Sequence, residues 1–336
     1  MATYLVTGGC GFIGSHLCLA LLEKGHGVHV LDDLSTGRES NLAPGASLQI
    51  GDIRDAAVVG RALHGVDGCF HLAAIASVER GSRDWLGTHH VNLGGFIQIL
   101  EIARAQATLG KPAIPVVYAS SAAIYGDNPD VPLSEASIPR PLSAYGADKL
   151  GCELHARVAG AVHGVPTMGL RFFNVYGPRQ DPRSPYSGVI SIFCARLTRG
   201  EPIDVNGDGH QTRDFIHVSD VVAALIRGIA MAGTEAPVLN VCTGRPTSVL
   251  DLATTIAEAC GTKAEIRHRP GRPGEIRHSL GDRRQLAHVL DVRSTTAIGP
   301  GIAEVVAWIR AGEPGLCAPK PGSADQPDDC RASASP

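Results

Sequence analysis

No apolar run in the 336 residues approaches the roughly 18 that a membrane-spanning helix needs, so a helical integral membrane protein is excluded. Charge of one sign is missing as well. Thirty Lys and Arg stand against 33 Asp and Glu, a net charge of -3, which leaves no broad field to hold a nucleic acid backbone. Any anionic ligand must be gripped locally. The nine cysteines are odd in number and scattered, with no C-x-x-C pair and no histidine at ligand spacing. They exclude a disulfide framework and point to no metal site, and we expect reduced, mostly buried thiols. Met1–Thr7 has no positively charged, apolar leader, and the expected location is the cytoplasm. Aromatics are scarce, with 7 Phe, 6 Tyr and 2 Trp. Glycine, by contrast, is abundant at 40 residues, well above the typical share of about 7%, and without a collagen-like period. That excess points to many tight turns and close backbone approaches.

Short apolar, β-branched runs alternate with helix-length stretches up to about Phe172. The strands are expected at Tyr4–Thr7, Gly27–Leu31, Ser47–Gly51, Gly68–Leu72, Ile114–Ser120 and Thr167–Phe172. Helices are expected at Phe12–Glu23, Ala56–Leu63, Val91–Ala107 and Ala144–Val162. Their alternation predicts a parallel sheet covered on both faces. Past Asn174 the pattern loosens, with helices suggested at Val189–Arg199, Ser219–Met231, Ser248–Ala259 and Ile302–Ala311. The expected division is therefore a parallel α/β unit over 1–174 and a second lobe over 175–313, followed by a disordered tail over 314–336 that is rich in Pro, Ser, Ala and Asp.

The first strand-to-helix turn reads Gly8-Gly9-Cys10-Gly11-Phe12-Ile13-Gly14. Glycines there let a pyrophosphate rest on the helix N-terminus, where free N–H groups and the positive dipole end favour anions. The second strand ends at Asp32, 18 residues beyond Gly14, where a carboxylate would take the adenosine ribose hydroxyls. Asp32 favours NAD over NADP through repulsion of a 2′-phosphate, and Arg38 nearby leaves a small opening for the phosphorylated cofactor. Tyr145 and Lys149 stand four apart, on one face of the expected helix. A phenol of pKa about 10 becomes a useful base once cations lower it, and Lys149 and an oxidised nicotinamide are two such charges. Ser120 and Ser121 end the fifth strand, at the carboxyl edge where α/β ligands bind.

With these motifs in order, the chain resembles the extended short-chain dehydrogenases/reductases, in the branch of UDP-hexose 4-epimerases. The resemblance runs from Thr3 to about Ile309 and is carried by TGGCGFIGSH, LDDLSTG, GDIRD, HLAA, ASSAAIYG, YGADK, RFFNVYGPRQ, QTRDFIHVSD and RPGEIRHS. It implies a Rossmann-type doubly wound parallel α/β sheet with a smaller C-terminal α/β lobe, an NAD cofactor, a nucleotide-sugar substrate and a homodimer. It also implies Ser121, Tyr145 and Lys149 as the catalytic hydroxyl, the acid/base and its electrostatic tuner. Around NAD it implies Gly8, Gly11, Phe12, Ile13, Gly14, Asp32, Asp33, Ser35, Thr36, Gly37, Asp52, Ile53, Leu72, Ala73, Ala74, Asn92 and Phe173, with Tyr145 and Lys149. Around the substrate it implies Asn174, Val189, Val205, Arg213, Arg272 and Ser279, together with Ser121 and Tyr145. Two guanidiniums would grip the diphosphate, although Arg213 could equally be half of a surface ion pair with Asp214.

Relatives that dehydrate carry Thr-Asp-Glu where this chain has Ser121-Ala122-Ala123, and two alanines supply neither the extra acid nor the extra base that elimination needs. Oxidation and re-reduction at C4 need no more than Ser121, Tyr145, Lys149 and NAD. The expected reaction is therefore C4 epimerisation of UDP-glucose and UDP-galactose, through a 4-keto sugar. Ser279 falls where a bulky tyrosine would exclude N-acetylated sugars, so UDP-GlcNAc and UDP-GalNAc are expected to fit as well. Asn206 stands where relatives place an aromatic ring against the uracil, which leaves other nucleoside diphosphate sugars and glucuronate open. A net-redox reductase and a non-enzymatic dinucleotide sensor are the remaining alternatives, and the presence of Tyr145 and Lys149 weighs against the sensor.

Overall fold

The computed structural model describes residues 1–313 apart from 109, 111, 185–187, 272–275 and 294, together with residue 315. Through the first half, strand and helix alternate as β1 (Thr3–Thr7), α1 (Phe12–Glu23), β2 (Gly27–Asp32), β3 (Ser47–Ile50), α2 (Ala56–Ala62) and β4 (Gly68–His71). Two short helices, α3 (Val78–Arg83) and α4 (Trp85–His89), precede α5 (Gly95–Thr108), β5 (Val116–Ser121), α6 (Ala144–His163) and β6 (Thr167–Phe172). The second half runs β7 (Asn174–Tyr176), α7 (Val189–Thr198), β8 (Ile203–Asn206), β9 (Thr212–His217), α8 (Val218–Ala230), β10 (Val238–Val241), β11 (Pro246–Ser248), α9 (Val249–Cys260), β12 (Ile266–Arg269), α10 (Arg284–Leu290) and α11 (Ile298–Arg310).

Local chemistry marks many of these ends. The Asp55 carboxylate accepts from the Ala57 and Val58 N–H groups to open α2, and Ser143 accepts from Gly146 N to open α6. Gly164 closes α6 in the left-handed conformation, at φ 65°. The helix expected over Val91–Ala107 instead begins as a π turn at His90–Gly94 that passes into α5. Two glycines meet at that junction, and a Cβ on Gly95 would lie 2.5 Å from Ile53 Cδ1, so the chain presses close there at the cost of regular helix.

Seven strands form one parallel sheet in the order β10-β6-β5-β4-β1-β2-β3. The strand order reverses between β1 and β4, and ligands of doubly wound sheets bind above the carboxyl ends at that switch point. Apolar clusters cover both faces, one including Val6, Leu17, Val30 and Val221, the other Leu5, Val59, Phe96 and Ala156. The seventh strand, β10, comes from beyond Asn174, and α8 packs against α1. Layer membership therefore crosses the boundary expected from sequence order. The smaller lobe has its own core, in which α7, α9 and α11 bring together Ile190, Phe193, Leu252, Ile256, Ile302 and Val305 beneath two small sheets, β11-β9-β7 and β12-β8. The tail from residue 316 on lies outside the described residues, as does residue 314. Among the described residues no helix is long and apolar enough to cross a membrane.

Candidate active site

A cleft of about 1060 Å³ opens over the switch point and runs into the smaller lobe. Its cofactor wall is mostly backbone. A Cβ on Gly14 would lie 2.1 Å from the Gly8 carbonyl oxygen, and one on Gly8, at φ +73°, would lie 2.8 Å from Ala73 N. Only glycine allows the β1 turn, the start of α1 and the chain after β4 to converge so closely. Gly11 caps α1 without any side-chain hydrogen bond, and no acidic residue stands in the first turn, which leaves those N–H groups for an anion. Gly8, Gly11, Phe12, Ile13, Gly14, Asp32, Asp33, Ser35, Thr36, Gly37, Asp52, Ile53, Leu72, Ala73, Ala74 and Phe173 all line the cleft.

Several of these positions are fixed by hydrogen bonds. The Asp32 carboxylate accepts from Cys10 N and Leu34 N, both at 2.9 Å, tying the glycine turn to the end of β2. Burial pushes its titration up. The N–H groups of Leu72 and Ala73 each donate to Thr7 Oγ1 at 3.2 Å. Asn92 stands behind the lining: its Oδ1 accepts from Ile75 N at 2.8 Å and its Nδ2 donates to Ile75 O at 3.1 Å, holding the loop after β4 in register.

Ser121 ends β5 with its Oγ accepting from Ala123 N at 3.1 Å. Tyr145 and Lys149 follow on the first turns of α6, and all three line the same cleft. The helix can come this close because residue 146 is glycine: a Cβ there would lie 2.6 Å from the Ala123 carbonyl oxygen. The Lys149 ammonium lies 5.8 Å from the centre of the Tyr145 ring. Lys149 is 3% exposed and makes no ion pair among the described residues. His71, at the end of β4, is held neutral, pushed down to about 3 by burial and then by the Lys149 charge.

On the opposite wall stand Asn174, Val189 at the start of α7, Val205 and Asn206 on β8, and Arg213 on β9. Asn174 Nδ2 donates to the Asp214 carbonyl at 3.2 Å. The alternative in which Arg213 pairs with Asp214 on the surface gives way to a different arrangement. Asp214 is fully buried, and its carboxylate accepts from Thr243 N and Oγ1, Gly244 N and Gly281 N at 2.8, 2.6, 2.9 and 3.3 Å. This anchor fixes β9 while its neighbour Arg213 lines the cleft. Ser279 is half-buried beside β9, its N–H donating to Thr212 O at 3.1 Å, and does not line the cleft. Arg272 lies outside the described residues.

The NAD dependent epimerase/dehydratase family matches residues 4–242. The chain belongs to that family. It is 37% identical to a UDP-glucose 4-epimerase of Mycolicibacterium smegmatis over 91% of this chain and 98% of that protein. Among solved structures, the UDP-glucose 4-epimerase of Thermotoga maritima with UDP-glucose superposes with a TM-score of 0.86, at 36% identity, over 92% of this chain and 99% of that one. A UDP-N-acetylglucosamine 4-epimerase of Methanobrevibacter ruminantium, solved with UDP-N-acetylmuramic acid, reaches a TM-score of 0.84 at 32% identity, over 93% and 99%.

The short turn after Ser121 carries Ala122 and Ala123. Sequence reading missed the far end of the cleft. There Asp204 accepts from Arg196 Nη1 and Arg269 Nε, both at 2.9 Å, and all three line the wall. The period-2 pattern of β8, with Ile203 and Val205 buried, marks the face that Asp204 shares with Asn206. Arg269 joins them only through the pairing of β12 with β8. Arg80 and Asp84, from the segment after β4, also line the cleft near Tyr145 and were equally unread.

Proposed function

We propose that this protein is an NAD-dependent isomerase that inverts C4 of a UDP-hexose, interconverting UDP-glucose and UDP-galactose through a transient 4-keto sugar. The observation that carries the reading is the placement of Ser121, Tyr145 and Lys149 along a cleft whose other end is the glycine cradle, with alanines at 122 and 123. The cradle fits NAD: bare glycine backbone and the open α1 N-terminus for the pyrophosphate, and Asp32 at the end of β2 for the ribose. Bound NAD supplies the hydride acceptor and returns the hydride, so no net redox change results.

The chain's own groups handle binding and the proton. The Lys149 ammonium stabilises the Tyr145 phenolate, which takes the proton of the 4-hydroxyl while Ser121 Oγ hydrogen-bonds the same oxygen. When the ketone is reduced on its other face, Tyr145 returns that proton. Arg213 and Asn174 hold the nucleotide diphosphate from the smaller lobe and leave the sugar free to turn between the two steps.

Purified protein given UDP-galactose and no added cofactor should form UDP-glucose with no lasting absorbance change from reduced nicotinamide. Tyr145→Phe should lower kcat by about 10²- to 10⁴-fold while bound NAD is retained. A Tyr145→Phe enzyme at the wild-type rate overturns the mechanism, and a stoichiometric absorbance change replaces epimerisation with net reduction. A second reading, turnover of the N-acetylated pair, is favoured by the likeness to a UDP-N-acetylglucosamine 4-epimerase rather than by Ser279, which stands off the cleft, and is sunk if only the non-acetylated pair reacts.

The assembly in this reading is a homodimer through α6, whose Leu154, Val158 and Val162 form an apolar stripe at 60%, 51% and 68% exposure. Leu150, one turn earlier, packs inside instead. The seven described cysteines are all buried free thiols, which fits a reducing compartment such as the cytoplasm.

A further inference from the structure

Behind Tyr145 and Lys149 lies a charged cluster that the reaction as derived does not use. Glu153 sits one turn beyond Lys149 on α6, 8% exposed, and Arg171 on β6 is 6% exposed. Arg171 takes both Glu153 oxygens, Nε to Oε1 at 2.9 Å and Nη2 to Oε2 at 2.8 Å. Ser120, the neighbour of Ser121, donates its Oγ hydrogen to Oε1 at 2.5 Å. The remaining Arg171 nitrogen donates to Tyr125 Oη at 2.7 Å and to the Glu135 carbonyl at 3.1 Å, and the Tyr125 hydroxyl donates onward to Asn240 Oδ1 at 2.7 Å.

Buried ion pairs add little net stability over apolar side chains of similar shape, so the cluster calls for a second reason. Position supplies one. Residues four apart on a helix are neighbours, and a bare carboxylate at 153 would stand within reach of the Lys149 ammonium. Instead the ion pair of Glu153 is with Arg171.

We propose that Arg171 is the counter-ion that keeps Glu153 from capturing Lys149, so that the lysine's charge stays available to the Tyr145 phenol. Arg171 and Glu153 are positioning residues in this scheme, with Ser120 fixing the carboxylate's orientation. The proposal rests on the acid/base reading of Tyr145 given above.

Other titratable groups stand around the Tyr–Lys pair. Asp148 on α6 has one oxygen on His89 of α4, Nδ1 to Oδ1 at 2.8 Å, while its Oδ2 is buried with no hydrogen bond among the described residues. His71 of β4 is neutral, and burial pushes the Cys152 thiol up to about 11. Burial, then the Glu153 charge, pushes the Tyr118 phenol of β5 well up, so it stays neutral. Arg80 and Asp84 line the cleft from the segment after β4.

The test follows the acid limb of kcat/KM for UDP-galactose. It also follows the near-ultraviolet phenolate absorbance that disappears from each NAD-loaded protein when Tyr145 is replaced by Phe. Arg171→Met leaves Glu153 uncompensated and should move both titrations up by about one pH unit, a roughly tenfold loss of rate below the limb. Adding Glu153→Gln to that variant should bring them back, and Arg171→Lys should hold them near wild type. Where Arg171→Met does not fold, Glu153→Gln alone decides, because an uncompensated Arg171 should move the titration down. Titrations that stay put in Arg171→Met, or in Glu153→Gln where that variant decides, overturn the counter-ion role while leaving epimerisation intact. An acid limb that persists in Tyr145→Phe, with Arg171 and Glu153 unchanged, overturns the underlying reading instead.

Discussion

The two walls of the cleft are built by different means. On the cofactor side a ligand would meet mainly backbone, brought close because side chains are missing at Gly8 and Gly14. On the smaller-lobe side it would meet side chains, Arg213, Asn174 and Asn206, each carried by a different strand. Recognition by backbone tolerates no added atom, whereas recognition by side chain tolerates substitution at a graded cost. The glycine wall should therefore fail abruptly and the guanidinium wall by degrees.

The sharpest test of that contrast is Gly14→Ala. The new Cβ would sit 2.1 Å from Gly8 O and 2.8 Å from Gly9 Cα, both backbone atoms that cannot swing aside. We expect a loss of about 3 kcal/mol in stability and protein that leaves gel filtration without NAD. Gly60→Ala, in α2 with no atom within 4 Å of the added carbon, should keep its NAD and melt at or slightly above wild type. Equal loss from both would mean that glycine content matters for turns in general rather than for this approach.

The same contrast explains what could be read from sequence. The bounds of α1 and β6 follow from an apolar run and its punctuation, and both elements form where the pattern puts them. The spacing of Tyr145 and Lys149 needs only a helix to become a site. β12 was not legible, because three of its four residues are exposed and it is a strand only by pairing with β8. Neither was β10, which returns to the main sheet from the far side of the smaller lobe's strands. Arg171 sits inside an apolar strand, and nothing local reveals that a glutamate 18 residues earlier will be buried against it. Asp214 reads as a surface partner for Arg213 until the loops at Thr243, Gly244 and Gly281 converge on it. In each case the missing information is a pairing between distant segments.

Arg213→Met tests the graded wall. Losing a charged, hydrogen-bonded grip of about 1.5–3 kcal/mol should raise KM for UDP-galactose by roughly 10- to 100-fold, with kcat and bound NAD little changed. Arg213→Lys should recover part of the loss, since a point charge keeps the attraction without the paired geometry. A collapse of kcat at unchanged KM would show that this arginine acts on the reacting sugar rather than on the diphosphate.

The smallest effect is expected where the walls meet. Arg38, next to Gly37 on the cofactor side, forms an ion pair with Asp181, next to Gln180 on the other, and both are partly exposed at 38% and 31%. An exposed pair contributes at most about 1 kcal/mol, so Arg38→Ala should speed NAD release by no more than roughly fivefold, a difference that shrinks in about 1 M salt. The pair also bears on cofactor choice. Arg38 is the one cation that sequence offered for a 2′-phosphate, and Asp181 engages it. Asp181→Ala should therefore shift the ratio of NADP to NAD affinity towards NADP, while Asp32 still disfavours the phosphate. If that ratio does not move, Asp32 alone sets the preference and the seam serves only to join the two walls.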